Sequence, residues 1–204
     1  MKDDIQRYIA CMEVVKQRMA VISDWLERRR TTGYAITDAE FMCLQFRKVL
    51  ELIALASLCA NRREYERIRQ NFHSDWRADK ILRDIEKVNP KFYPQPSQQI
   101  KNLETGEVGG VASIQEGYLT RGEFEAVFNE CADLLHAFNP YRTRLPDLTV
   151  LNTRFLEWQG KIVKLLSHHQ VQLVDDDKQL WVIMQDERDG KVHVAEMQKA
   201  ENGA

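Results

Sequence analysis

Between Val49 and Ala60 the chain reads Val-Leu-Glu-Leu-Ile-Ala-Leu-Ala-Ser-Leu-Cys-Ala, with Glu51 and Ser57 as its polar positions. A helix this apolar round its whole circumference must be wrapped by other elements. It is too short to cross a bilayer, so it predicts the centre of a helical core. Three amphipathic stripes supply the wrapping. Ile5, Tyr8, Met12, Val15, Met19, Ile22 and Leu26 step by three and four, predicting one helix from about residue 4 to 30. Gly33 would stop it, with Arg28, Arg29 and Arg30 at the negative end of its dipole. Phe124, Phe128, Cys131, Leu135 and Phe138 repeat the spacing, as do Leu148, Leu151, Phe155, Trp158, Ile162, Leu165 and His169. Apolar residues beside these seams (Ile9, Leu134, Val163, Leu166) widen each stripe beyond a coiled-coil seam and favour one intramolecular bundle. An intermolecular seam, and with it a homodimer, is the alternative.

Local signals divide the rest of the chain. Thr37-Asp38-Ala39-Glu40 and Thr120-Arg121-Gly122-Glu123 have the spacing of capping boxes, and Asp147 opens the last long helix. Asn89-Pro90 and Asn139-Pro140 end helices. Gly160, inside a helix, predicts a close neighbour. Pro90, Pro94 and Pro96 predict an extended connection, and a hairpin is expected over 100–114, its second strand weakened by Gly109-Gly110. Val171–Val174, Leu180–Gln185 and Lys191–Ala195 alternate with period two, and the polar turns between them predict a three-stranded antiparallel meander. The expected fold is α+β and mainly helical. It is a single domain over 1–204, with about five helices in 1–170 and the meander in 171–197.

Charge and motif absences narrow the function classes. Lys plus Arg is 29 against 31 Asp plus Glu, so a net charge of −2 gives no bulk attraction to nucleic acid or anionic lipid. The charge is nonetheless polarised, with 18 basic and 14 acidic residues in 1–100 and 11 and 17 in 101–204. The first residues carry no apolar leader, and Cys11, Cys43, Cys59 and Cys131 form no C-x-x-C. A cytoplasmic chain that uses its cysteines as small buried hydrophobes is expected. No phosphate-cradling Gly-rich loop, H-E-x-x-H, zinc spacing or G-x-S-x-G is present, so neither cofactor nor metal is expected.

The segment from Arg62 to Arg77 interleaves Arg62, Arg63, Arg67, Arg69 and Arg77 with Tyr65, Phe72 and Trp76. Arginines grip phosphates bidentately, aromatics stack on bases, and a histidine at position 73 could shuttle a proton. Glu64, Glu66 and Asp75 offset part of this charge, and a salt-bridged solvated helix is the plain alternative. Lys91, Phe92 and Tyr93, set among prolines, extend the expected partner surface. Arg67, followed after five residues by His73, resembles the R-x4-6-H motif of HEPN-domain ribonucleases, and the helix Phe46–Leu58 is similar to that of uncharacterised bacterial mobile-element proteins. Ile68 and the C-terminal meander depart from the HEPN pattern. The resemblance implies metal-free RNA cleavage across a dimer. His73 would act as base or acid and Arg67 would stabilise the developing charge.

Glu51 must be paired where it sits. Arg47, one turn earlier, can reach it, or Glu51 orients an arginine of the basic segment. His169 continues a helical seam and is expected in the core, whereas His193 alternates with Val192 and Val194 and faces solvent. The leading expectation is a non-enzymatic bacterial interaction protein, an accessory of a mobile-element or phage-defence locus. It would bind a protein, a second copy of itself, or RNA or DNA, and no membrane. A HEPN-like ribonuclease using Arg67 and His73 is the alternative.

Overall fold

The computed structural model describes residues 2–69, 72–102, 105, 108–137, 141, 147–174 and 177–198, the side chain of His73 excepted. Helices α1 (Lys2–Leu26) and α2 (Ala35–Ala60) form a long antiparallel pair. Trp25 stacks on Phe41 near one end, and Arg62 holds Asp4 near the other. The remaining helices are α3 (Arg62–Ile68), α4 (Ala78–Val88), α5 (Arg121–Leu134) and α6 (Leu148–Leu166), with one 3₁₀ turn at Phe72–Ser74. All-round apolarity places α2 at the centre, where Phe46, Val49, Leu50 and Ala54 are fully enclosed. It meets α1, α4, α5 and α6, and Phe46 packs against Phe155 and Trp158 of α6. The heptad-spaced residues Tyr8, Met12, Val15, Phe124, Phe155 and Ile162 are buried within this one chain. α1 lies along α2 and touches α6 more briefly.

The sheet is larger than expected. Strands β1 (Gln95–Lys101), β2 (Val108–Ser113), β3 (His168–Gln172), β4 (Lys178–Ile183) and β5 (His193–Gln198) make one antiparallel sheet in the order β2-β1-β3-β4-β5. The hairpin and the meander join through Gln95 and Pro96, which pair with Gln170 and His169. His168 and His169 therefore start a strand, and α6 ends at Leu166. Residues 103, 104, 106, 107, 138–140, 175 and 176, which carry expected turns and a helix stop, lie outside the described residues.

The inner face of the sheet covers the helices with His169, Val171, Leu180 and Val182, and the outer face carries His168, Gln170, Trp181 and Ile183. The β4–β5 turn is tied to α1, where Val192 N–H donates to Glu13 Oε1 at 2.6 Å and Lys16 Nζ to the Gly190 carbonyl at 2.5 Å.

The caps are as expected at two helices and not at a third. Thr120 and Glu123 form the reciprocal box at α5, and Asp147 accepts from Thr149 and Val150 N–H at α6. At α2, however, the helix starts earlier, and Asp38 accepts from Thr31 and Thr32 of the preceding loop. The expected box at Thr37 does not form because Thr37 already lies in the first turn of the helix, where its hydroxyl donates to the Tyr34 carbonyl. Open space surrounds Gly160, so the close neighbour expected there is absent.

A buried amide chain fixes the corner between α2, α4 and β3. Asn61 Nδ2 donates to the Ser57 carbonyl, and Asn89 Nδ2 donates to both Asn61 Oδ1 and the Gln172 carbonyl, each at 2.8 Å. Asn89→Ala leaves two buried acceptors without this donor and is expected to cost about 2 kcal/mol in urea unfolding. An unchanged midpoint would show that the amide chain contributes nothing.

Candidate partner surface at the α3–α4 corner

Much of the basic segment is neutralised by carboxylates of the same chain. Arg62 Nε lies 2.6 Å from Asp4 Oδ1, and its Nη1 lies 2.6 Å from Glu66. Arg69 bonds Asp75, whose second oxygen accepts the Tyr65 hydroxyl at 2.9 Å. Burial and this contact push the Tyr65 phenol pKa up. Arg77 pairs with Asp79 at 3.0 Å, and Arg83 binds the same carboxylate. Arg62 and Arg69 are thus structural, and Arg77 shares the Asp79 carboxylate with Arg83. Tyr65 and Phe72 pack edge-on in the interior rather than offering stacking faces.

What remains outside is narrower. Arg63 and Arg67, one helical turn apart on α3, are exposed, and neither makes an ion pair among the described residues. Trp76 is 64% exposed and Ile68 45%. Asp75, the residue before Trp76, is held by Tyr65 of α3 and by Arg69 at its end. The His73 side chain, the second half of the expected catalytic pair, lies outside the described residues.

Three other candidate residues are placed elsewhere. Phe92 and Tyr93 are buried, at 1% and 6%, and the Tyr93 hydroxyl donates to the Leu119 carbonyl at 2.9 Å. The loop after Asn89 turns its aromatics inward to seal the core, so they form no partner surface, while Lys91 stays exposed. Glu51 is held by Arg47 at 3.3 Å and Lys48 at 2.7 Å, and the Arg47 guanidinium lies over the Phe128 ring at 4.1 Å. Its partners belong to α2, so Glu51 orients no arginine of the basic segment.

The outer sheet face holds an arrangement that sequence spacing did not reveal. An open groove of about 650 Å3 runs between the β1–β2 hairpin and the β4–β5 turn, lined by Ser97, Lys101, Lys164, His168, Ile183 and Arg188 among others. Ser97 Oγ and His168 Nδ1 are 2.7 Å apart, brought together by the pairing of β1 with β3. Burial lowers the His168 pKa. Ser97 is 4% exposed, so the imidazole rather than the hydroxyl has surface to offer. Lys101 closes one end on Glu187 at 2.9 Å.

Asp186, Asp189 and His193 also converge, with ligand atoms within 4.8 Å of one another. Arg188 occupies Asp186 and holds its pKa down to about 2, and His193 bonds Asp189 at 3.1 Å. These charges answer one another within the turn.

Comparison of the chain with protein-family models, with curated proteins and with solved structures gives no match. No helix among the described residues is long and apolar enough to cross a membrane.

Proposed function

We propose that the chain is a non-enzymatic interaction protein that docks an anionic partner on the α3–α4 corner. Such a role suits an accessory element of a bacterial mobile-element or defence locus, as the resemblance over Phe46–Leu58 suggests. The observation that carries the reading is the pairing of a Trp76 that is 64% exposed with two exposed arginines of α3, Arg63 and Arg67, that make no ion pair among the described residues. An exposed large aromatic and cations nearby in sequence offer a partner both an apolar face and charge. RNA, DNA and acidic protein segments share that anionic chemistry, and the basic first half of the chain would draw them, a second copy's acidic half included.

The test is titration of a labelled single-stranded RNA and of a poly-glutamate peptide, each across a salt series. Binding that weakens about tenfold in Trp76→Ala and steepens with falling salt supports the surface. Equal binding by wild type and Trp76→Ala removes it. The ribonuclease reading retains one supporting feature, an exposed Arg67 without an ion pair among the described residues. RNA cleavage in EDTA, lost in both Arg67→Ala and His73→Ala, would favour it over a binding role. RNA left intact by wild type would end it.

A further inference from the structure

The four cysteines are scattered in sequence but meet as two pairs bridging neighbouring helices. Cys11 of α1 lies against Cys59 of α2, and Cys43 of α2 lies against Cys131 of α5. All four are free thiols. The pairs differ in access. Cys43 and Cys131 are fully enclosed, whereas Cys11 and Cys59 are half-buried. Cys59 also lines a narrow cleft with Asp4, Ile5, Arg62 and Arg63, which gives solvent a way to the pair.

We infer that Cys11 and Cys59 form a two-electron oxidation site, closed by a small hydroperoxide such as hydrogen peroxide into a disulfide that ties α1 to α2. A disulfide requires two backbones close enough for the sulfurs to meet. The antiparallel packing of α1 on α2 and the contact between the two thiols supply that approach.

The contact between the two thiols means that oxidation of either places the other within reach of it. In the first step one sulfur of the pair, as thiolate, forms a bond to one peroxide oxygen as the O–O bond breaks. The leaving hydroxide takes up a proton to become water, and the sulfur is left as sulfenic acid. In the second, the other thiol gives up its proton and attacks that sulfur. The S–S bond forms, the S–O bond breaks, and the departing hydroxide leaves as a second water. Two thiols and one peroxide thus become one disulfide and two waters. Cys43 and Cys131 have both contact and burial raising the Cys131 pKa, and no comparable access.

The experiment treats the reduced full chain with hydrogen peroxide under native conditions, then alkylates remaining thiols in denaturant and maps the peptides. The expected product has lost two hydrogens and carries a Cys11–Cys59 cross-link, formed roughly tenfold or more faster than any reaction at Cys43 or Cys131. Cys11→Ser and Cys59→Ser, each checked for folding by circular dichroism, should trap sulfenic acid at the remaining thiol of the pair for a dimedone probe. If neither variant folds, the wild-type peptide map alone decides. Four alkylatable thiols after treatment, a Cys43–Cys131 cross-link forming first, or separate over-oxidation without a cross-link would each overturn the assignment.

Discussion

Acidifying the protein from pH 7 to pH 4 is expected to remove about 3 kcal/mol of stability through one residue, His169. Its ring is fully buried, with Nδ1 at 2.8 Å from the Leu166 carbonyl and Nε2 at 2.7 Å from the Tyr8 hydroxyl. The carbonyl can only accept, so Nδ1 carries the hydrogen and Tyr8 donates to Nε2. Burial pushes the folded pKa down to about 4, from an ordinary value of 6.5. The unfolded chain takes up this proton as pH falls through 6.5, while the folded one refuses it until about 4. The stabilisation is therefore fully present above 6.5 and is lost across that window. His168, lowered by its own burial, adds in the same direction. Carboxylates such as Glu13, whose pKa the Val192 N–H lowers, contribute only at more acid pH. Urea midpoints measured in pH steps should fall from 6.5 to 4 in wild type, and the slope should flatten in His169→Gln. A flat wild-type profile, or a directly titrated His169 near 6.5, would refute this.

Phe92→Ala is expected to cost about 4 kcal/mol, while Trp76→Ala should stay within about 0.5 kcal/mol. The two aromatics looked alike in sequence, each beside a cation in a polar stretch. Phe92 is enclosed and packs edge-on against Tyr93 at 6.1 Å, whereas Trp76 stands mostly in water. Thermal or urea unfolding of the pair of variants separates a core plug from a surface anchor. Comparable losses in both would mean that Trp76 is part of the fold and unsuited to partner docking.

What the sequence could show followed from periodicity and local chemistry. The α1, α2 and α6 stripes, the box at Thr120 and the Asp147 cap are signals carried within a few residues, and the structure has them. What it hid depends on residues far apart in the chain. β1 is a run of glutamines with Pro96, lacking an apolar alternation, and becomes a strand because β3 pairs with it. His169 continued the α6 spacing, yet backbone pairing with β1 and β4 draws it into the sheet. Of the carboxylates that hold the arginines, Glu66, Asp75 and Asp79 lie within a few positions and were in view, whereas Asp4, 58 positions before Arg62, was not. For the same reason the Ser97–His168 contact, spanning 71 positions, left no motif to read.

The strand order carries a consequence for synthesis. β1 borders β2 across a short turn, but its other neighbour, β3, is made only after α5 and α6. On a ribosome adding about 5–20 residues per second, that interval leaves one hairpin edge without a hydrogen-bonding partner for several seconds. During it Tyr8, whose acceptor is His169, is likewise waiting. Translation stalled between Ser113 and His168 should yield a nascent chain that aggregates or recruits chaperones, and release should follow once the later strands emerge.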